Sequence, residues 1–369
     1  MDWLLTPTAP RPDASAPGAL GRRWRNYRWF WFRMGLNALA WPHVVDVALG
    51  TGKAEVARTP GDVVWRRGTA TLTRYRPRSK ASEVVVVVHS LVSRPWILDL
   101  APGASLVESL VDQGFDVFLL DWGDPARSEA MLGLSDYSNI LMHAEEEALA
   151  RAHASRVHLI GYCLGGLICL LRTAARSHEH IASVALLATP VDFSIHAGLQ
   201  PLVANRFFKP AYFLDGSGCI PAEGLRESFH FLRPRALRTA VGAWRRRHDP
   251  AFRHMYDPLA RWVWEHRPLT GAAYLDLVRL FRTNALLNEG MTISGEIARL
   301  RDVRAPVLTL IAEHDHIVPS ASSRALSRVS GISVEVAEFD TGHVSMISGG
   351  AARSTVWPTI AEWVRAHAS

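Results

Sequence analysis

The sequence predicts an α/β protein with a mostly parallel central sheet and a helical cap inserted between two parts of that sheet. Three observations carry this. Short apolar runs of strand type alternate with helical stretches as far as Pro190. One of them, Glu83 to Val88, is almost pure valine, as expected of a central parallel strand covered on both faces. After Thr189-Pro190 the alternation stops, and residues 191–300 are crowded with aromatic and Arg side chains without a clear strand ladder. Strand-like runs then return at Pro306–Ala312 and Val334–Phe339.

Taken in order, residues 1–19 are rich in Pro and Ala and read as a disordered tail. Residues 20–58 read as a basic, aromatic, helical segment. Leu20, Trp24, Tyr27, Trp31, Met34, Ala38 and Trp41 recur at helical spacing, Arg22, Arg23, Arg25, Arg28 and Arg33 crowd the same stretch, and Pro42 ends or kinks it. Such a helix suits an anionic or apolar interface, or packing on its own domain or on a partner subunit. Residues 59–190 form the first part of the core. They open with a hairpin, Val63–Trp65 and Ala70–Arg76 around Arg66-Arg67-Gly68. Helix 103–113, strand Asp116–Leu120, helix Ser135–Arg151, an apolar strand–turn–helix over 157–171 and strand Val184–Ala188 follow. The run Glu145-Glu146-Glu147 is expected on a solvated helix face. Residues 191–300 are the cap, and 301–369 the second part of the core, ending in a helix near Thr355–Ala366.

The chain of 369 residues is long enough to bury a large core. Its net charge of +6 is modest and comes almost wholly from Arg, with Lys only at 53, 80 and 209. A dense basic stripe with a known motif is missing, so a nucleic-acid binder is not expected. Three Cys, at 163, 169 and 219, imply no disulfide framework and suit a reducing compartment. With no basic start leading into an apolar run and no apolar stretch of about 18 residues, a cytoplasmic protein without a secretory signal or membrane span is expected.

The chemistry centres on Gly161-Tyr162-Cys163-Leu164-Gly165-Gly166, between an apolar strand and an apolar helix. This is the context of a nucleophile elbow, with sulfur in place of the usual serine oxygen. Gly161 and Gly165 leave room where a Cβ would meet neighbouring backbone. Cys163 projects over the first turn of the helix, where unpaired N–H groups and the positive dipole end suit a nucleophilic sulfur. The alternative is a buried structural Cys beside a tight turn.

A thiol nucleophile needs a base, and the base an orienting acid, in the chain order nucleophile, acid, base. Strand 306–312 runs into Glu313-His314-Asp315-His316, and strand 334–339 into Asp340-Thr341-Gly342-His343. Asp315 is therefore the expected acid and His343 the base, with Glu313 and Asp340 as competing carboxylates. The His314–His316 pair raises a metal site, but further ligands are not evident, so no metal is expected. The oxyanion hole is expected from the backbone N–H of Leu164 and one near Leu91. A cysteine nucleophile also tilts the chemistry toward acyl transfer. Attack on a thioester exchanges one thioester for another, and the held acyl group can pass to an alcohol if water is kept out.

With these residues in view, the chain resembles polyhydroxyalkanoate synthases, particularly the short catalytic subunit of the class III, two-component enzymes. The resemblance runs over roughly residues 55–365. It is carried by Leu91-Val92-Ser93-Arg94-Pro95-Trp96, Asp121-Trp122-Gly123-Asp124-Pro125, Gly161-Tyr162-Cys163-Leu164-Gly165-Gly166, Thr189-Pro190-Val191-Asp192-Phe193, Asn288-Glu289-Gly290, Asp315-His316-Ile317-Val318-Pro319 and Gly342-His343. The resemblance implies an α/β-hydrolase fold and polymerisation of (R)-3-hydroxyacyl-CoA into a polyester with release of CoA, without a further cofactor. It also implies that Cys163 carries the acyl chain, that His343 deprotonates the thiol, and that Asp315 orients His343 or helps activate the substrate 3-hydroxyl. Family members are dimers, and class III subunits work with a non-catalytic partner at the polymer granule surface. Departures are Leu164 where the family usually has Gln, His89-Ser90 in place of a more apolar pair, and Ser93 where class III chains carry Asn. Two other functions are open: a thioesterase or polyester hydrolase of the same fold, and a non-enzymatic protein that binds granules or a partner through residues 20–41.

Overall fold

The computed structural model describes residues 45–77, 83–175, 179–197, 200–231 and 236–368. The expected tail 1–19 and the helical stripe 20–41 lie outside the described residues. Eight strands form the central sheet: β1 Asp62–Arg67, β2 Ala70–Tyr75, β3 Val84–Val88, β4 Asp116–Asp121, β5 Val157–Tyr162, β6 Ile181–Leu187, β7 Val307–Ala312 and β8 Val334–Phe339. Their spatial order is β1-β2-β4-β3-β5-β6-β7-β8. Strand β2 is antiparallel to both β1 and β4, and every other neighbouring pair is parallel.

Side-chain alternation explains the valine run. Val84, Val86 and Val88 point into one half of the core, with Leu141 and Ala144 of α2 (Leu134–Ala152) and Leu167 and Leu171 of α3 (Leu164–Ala174). Val85 and Val87 point into the other half, with Leu106 and Leu110 of α1 (Leu106–Asp112) and Ile360 and Val364 of the last helix, Trp357–Ala366. A strand covered on both faces has no position at which a polar residue is free of cost, so β3, β5, β6 and β7 are buried along their whole length. The sheet margins differ. Strand β1 exposes Arg66 and Arg67, and β8 exposes Glu335 and Glu338.

One expectation fails on α2. Glu145 is not on a solvated face; its side chain is fully buried. Its Oε2 accepts 2.9 Å contacts from the guanidinium of Arg172 on α3 and from His180 Nε2. A carboxylate at such a place is tolerable because it is paired. Charge runs alone do not show that a partner arrives from the next helix.

After β6 the cap supplies α4 (Ala222–Phe231), α5 (Ala236–Arg245), α6 (Pro250–Trp264) and α7 (Gly271–Thr283). It is not purely helical: Cys219–Ile220 pairs with Leu269–Thr270, and Met291–Ile293 with Glu296–Ala298, each antiparallel. Helix α7 is fastened to the core, because Asp276 Oδ2 accepts from the backbone N–H of Leu134 at 2.9 Å. Helix α6 is held from the other side by the described end of segment 20–58. Asp46 accepts from Tyr256 Oη at 2.6 Å and Trp264 Nε1 at 2.7 Å, and Arg253 donates to the Leu49 carbonyl at 2.6 Å.

Candidate active site

Strand β5 ends at Tyr162, α3 begins at Leu164, and Cys163 alone makes the turn. Its φ of 54° lies in the left-handed region that side chains other than Gly avoid. The turn is held by the Cys163 N–H, which donates to the Leu187 carbonyl at 2.9 Å, and by the Cys163 carbonyl, which accepts from Leu167 at 3.2 Å. The close approach requires glycine. A Cβ on Gly165 would lie 2.3 Å from the Val88 carbonyl oxygen and 2.5 Å from that of His89, and one on Gly161 would lie 2.5 Å from Gly166 Cα. Backbone cannot swing aside as a side chain can. Gly165→Ala is therefore expected to destabilise the protein by about 2–3 kcal/mol, read from the urea midpoint, whereas Gly242→Ala on α5, with nothing within 4 Å, should be neutral or stabilising. Equal midpoints for the two variants would contradict this packing.

Asp315 follows β7 and His343 follows β8, and the sheet brings both to the mouth of the β5 turn. Asp315 Oδ2 and His343 Nδ1 are 2.6 Å apart, with side chains 1% and 5% exposed. The other oxygen, Oδ1, accepts the N–H groups of Ile317 and Val318 at 2.8 Å each, which fixes the carboxylate plane. Burial alone would lower the His343 pKa. The Asp315 charge, the nearby Cys163 sulfur and hydrogen bonds to both outweigh it and lift the value to about 10. Since Nδ1 is engaged by Asp315, Nε2 is the nitrogen left for the sulfur. The Tyr162 ring packs 5.1 Å from the imidazole, and its hydroxyl donates to the His343 carbonyl at 3.4 Å.

The competing carboxylates stay outside. Glu313 and Asp340 are exposed, and Asp340 pairs with His314 Nε2 at 2.7 Å. The potential ligand atoms of Glu313, His314 and Asp340 lie within 4.8 Å of one another, and His316 is not part of that group. Leu164 is half-buried as the first residue of α3, so its N–H is one of those without a partner inside the helix. Leu91 is buried in the turn after β3, with its side chain in the core.

Cys163 and His343 open onto a cavity of about 550 Å³. Its far wall comes from the cap: Phe229 of α4, Thr239 of α5, and Leu259, Trp262 and Val263 of α6. The sequence signal for these residues was only the aromatic crowding of 191–300, which says that a lining exists but not which helix supplies it. Also unforeseen was the tie between the cap and the loop after β3. Trp262 Nε1 donates to the Arg94 carbonyl at 3.0 Å, and the Arg267 N–H to that of Val92 at 3.2 Å. Among the described residues, no helix is long and apolar enough to cross a membrane.

Comparison with known proteins agrees with this architecture. The chain is similar to the poly(3-hydroxyalkanoate) polymerase subunit PhaC of Allochromatium vinosum, with 29% identity over 317 residues, 83% of this chain and 88% of that one. The PhaC subunit of Synechocystis is 28% identical over 323 residues, 84% of this chain and 85% of that one. That of Haloferax mediterranei is 26% identical over 326 residues, covering 86% of this chain but only 66% of its own length. Among solved structures, a hydrolase from Pseudomonas aeruginosa superposes with a TM-score of 0.50 at 13% identity, over 84% of this chain and 98% of that one, a likeness of fold alone. The family model for the alpha/beta hydrolase fold matches residues 83–350, from the central valine strand to just beyond His343. The chain belongs to the alpha/beta hydrolase fold family.

Proposed function

We propose that this protein is a polyhydroxyalkanoate synthase, an acyltransferase that takes (R)-3-hydroxyacyl groups from CoA and joins them into a polyester through a thioester on Cys163. The observation that carries the reading is a cysteine, not a serine, at the tip of the β5 turn, beside a His343–Asp315 pair, in a chain whose relatives are named PhaC.

In the proposed step, His343 already holds the proton of the Cys163 thiol, as its raised pKa favours, and the sulfur attacks the carbonyl carbon of the acyl-CoA. The tetrahedral oxyanion is met by the backbone N–H groups of Leu164 and Leu91. The carbon–sulfur bond to CoA then breaks, CoA leaves with the proton held by His343, and the acyl group remains on Cys163. Transfer follows when a 3-hydroxyl attacks that thioester, with His343 again taking the proton and Asp315 stabilising the imidazolium. The apolar side chains of Phe229, Leu259, Trp262 and Val263 favour this outcome over hydrolysis, because they leave little for water to bind. No cofactor beyond the CoA thioester substrate is invoked. The same reading assigns a dimer at a cytoplasmic polyester granule, working with a non-catalytic subunit, in keeping with the word subunit in the relatives' names.

The test follows free thiol and insoluble polymer from 3-hydroxybutyryl-CoA. Thiol and polymer together are expected. Thiol with free 3-hydroxy acid and no polymer would make the protein a thioesterase, and no thiol at all, with or without an added class III partner subunit, would refute acyl transfer.

A further inference from the structure

The loop after β3 carries the proposed second oxyanion donor, and it rests on a set of charges that the reaction above does not use. Ser90, Val92 and Ser93 are nearly inaccessible and line the cavity. Beneath them, Asp121 ends β4 and Asp124 follows it. The Arg267 side chain, 6% exposed, reaches over from the cap between α6 and α7 and pairs with both. Its Nη2 donates to Asp121 Oδ2 at 3.1 Å, and its Nε lies 3.5 Å from Asp124 Oδ1. Asp124 also holds Arg94 at 2.8 Å, at the far end of the same loop. His89, at the near end, is completely buried 3.7 Å from Asp121, and its carbonyl accepts from Trp122 Nε1 at 2.9 Å.

Arg267 is thus tied twice. Its backbone N–H holds the Val92 carbonyl, and its guanidinium holds the acids under both ends of the loop. The Arg267 guanidinium is nearly inaccessible, whereas Asp121 is 26% and Asp124 53% exposed, so it is the guanidinium charge that parting the pair with Asp121 would leave poorly compensated. A planar, forked guanidinium also fixes orientation in a way that an ammonium does not.

We propose that Arg267 is a positioning residue, which sets the loop from Ser90 to Ser93 in its oxyanion-binding shape only while the cap is docked. Docking of the cap and completion of the donor set are then one event. The side of the cap made by α6 and the Arg267 segment stays seated during turnover. This rests on the acyl-transfer reading.

The test compares two reactions of Cys163 in the full chain. Alkylation by iodoacetamide needs a reactive sulfur but forms no oxyanion. Acylation by 3-hydroxybutyryl-CoA needs both. Arg267→Ala is expected to slow single-turnover acylation about 30-fold or more, with KM within about twofold and the alkylation rate within about threefold of wild type. Arg267→Lys should restore acylation in part. Acylation within threefold of wild type, or equal losses of acylation and alkylation, would overturn the proposal. Should Arg267→Ala fail to fold, as judged by circular dichroism, Asp121→Asn keeps the shape of the acid, removes its charge and carries the same two-reaction expectation. Failure of the functional reading looks different, since Cys163→Ala would then release CoA as wild type does.

Discussion

Cys163→Ala is expected to lower CoA release from 3-hydroxybutyryl-CoA by about 10⁴-fold or more, with the folded protein otherwise unchanged. The side chain is small, 8% exposed, and makes its turn through backbone bonds that alanine keeps. The loss should therefore be chemical and not structural. Cys163→Ser is expected to leave little activity as well. Its oxygen is a poorer nucleophile at the same place, and the resulting oxygen ester is slower to pass its acyl group on. Release of CoA in Cys163→Ala at even a tenth of the wild-type rate would remove the nucleophile assignment.

The second large effect is expected at Asp315. Asp315→Asn preserves shape but presents an amide that can donate toward Nδ1, which turns the imidazole to the wrong tautomer. Turnover should fall by about 10³–10⁴-fold. The same variant has a signature in stability. His343 titrates at about 10 in the folded protein, above its ordinary 6.5, so the folded state binds the proton more tightly than the unfolded chain. The stabilisation is complete below pH 6.5 and is lost as pH rises through about 10, with a slope of at most about 1.4 kcal/mol per pH unit. Urea unfolding of wild type and Asp315→Asn should therefore show a gap that narrows between pH 7 and pH 10. A gap that stays constant over that range would mean that Asp315 does not raise the imidazole pKa.

Much of this was legible in the residues because parallel sheets write themselves plainly. A strand with two buried faces must be apolar throughout, so Val84–Val88 and Val307–Ala312 could be read as central strands, and the loops at their ends as the places where chemistry collects. The positions of Cys163, Asp315 and His343 followed from that, since each stands within a few residues of a strand end. What escaped was whatever depends on a partner distant in sequence. The burial of Glu145 depends on Arg172 and His180, and the role of Arg267 on Asp121, 146 residues earlier in the chain. Neither pairing leaves a periodic trace. The cap was foreseen as a mass of aromatics, but its short antiparallel pairs, Cys219–Ile220 with Leu269–Thr270 among them, are too brief to show an alternation.

The charged margins of the sheet bear on assembly. An outermost strand offers a ladder of unused amides and carbonyls to any second chain that can align with it. Here one rim offers Arg66 and Arg67, and the other Glu335 and Glu338. A second strand aligning with either rim would strip water from these charged side chains, a cost that grows as the seam closes. A continuous sheet shared between two copies is therefore a costly way for this protein to assemble.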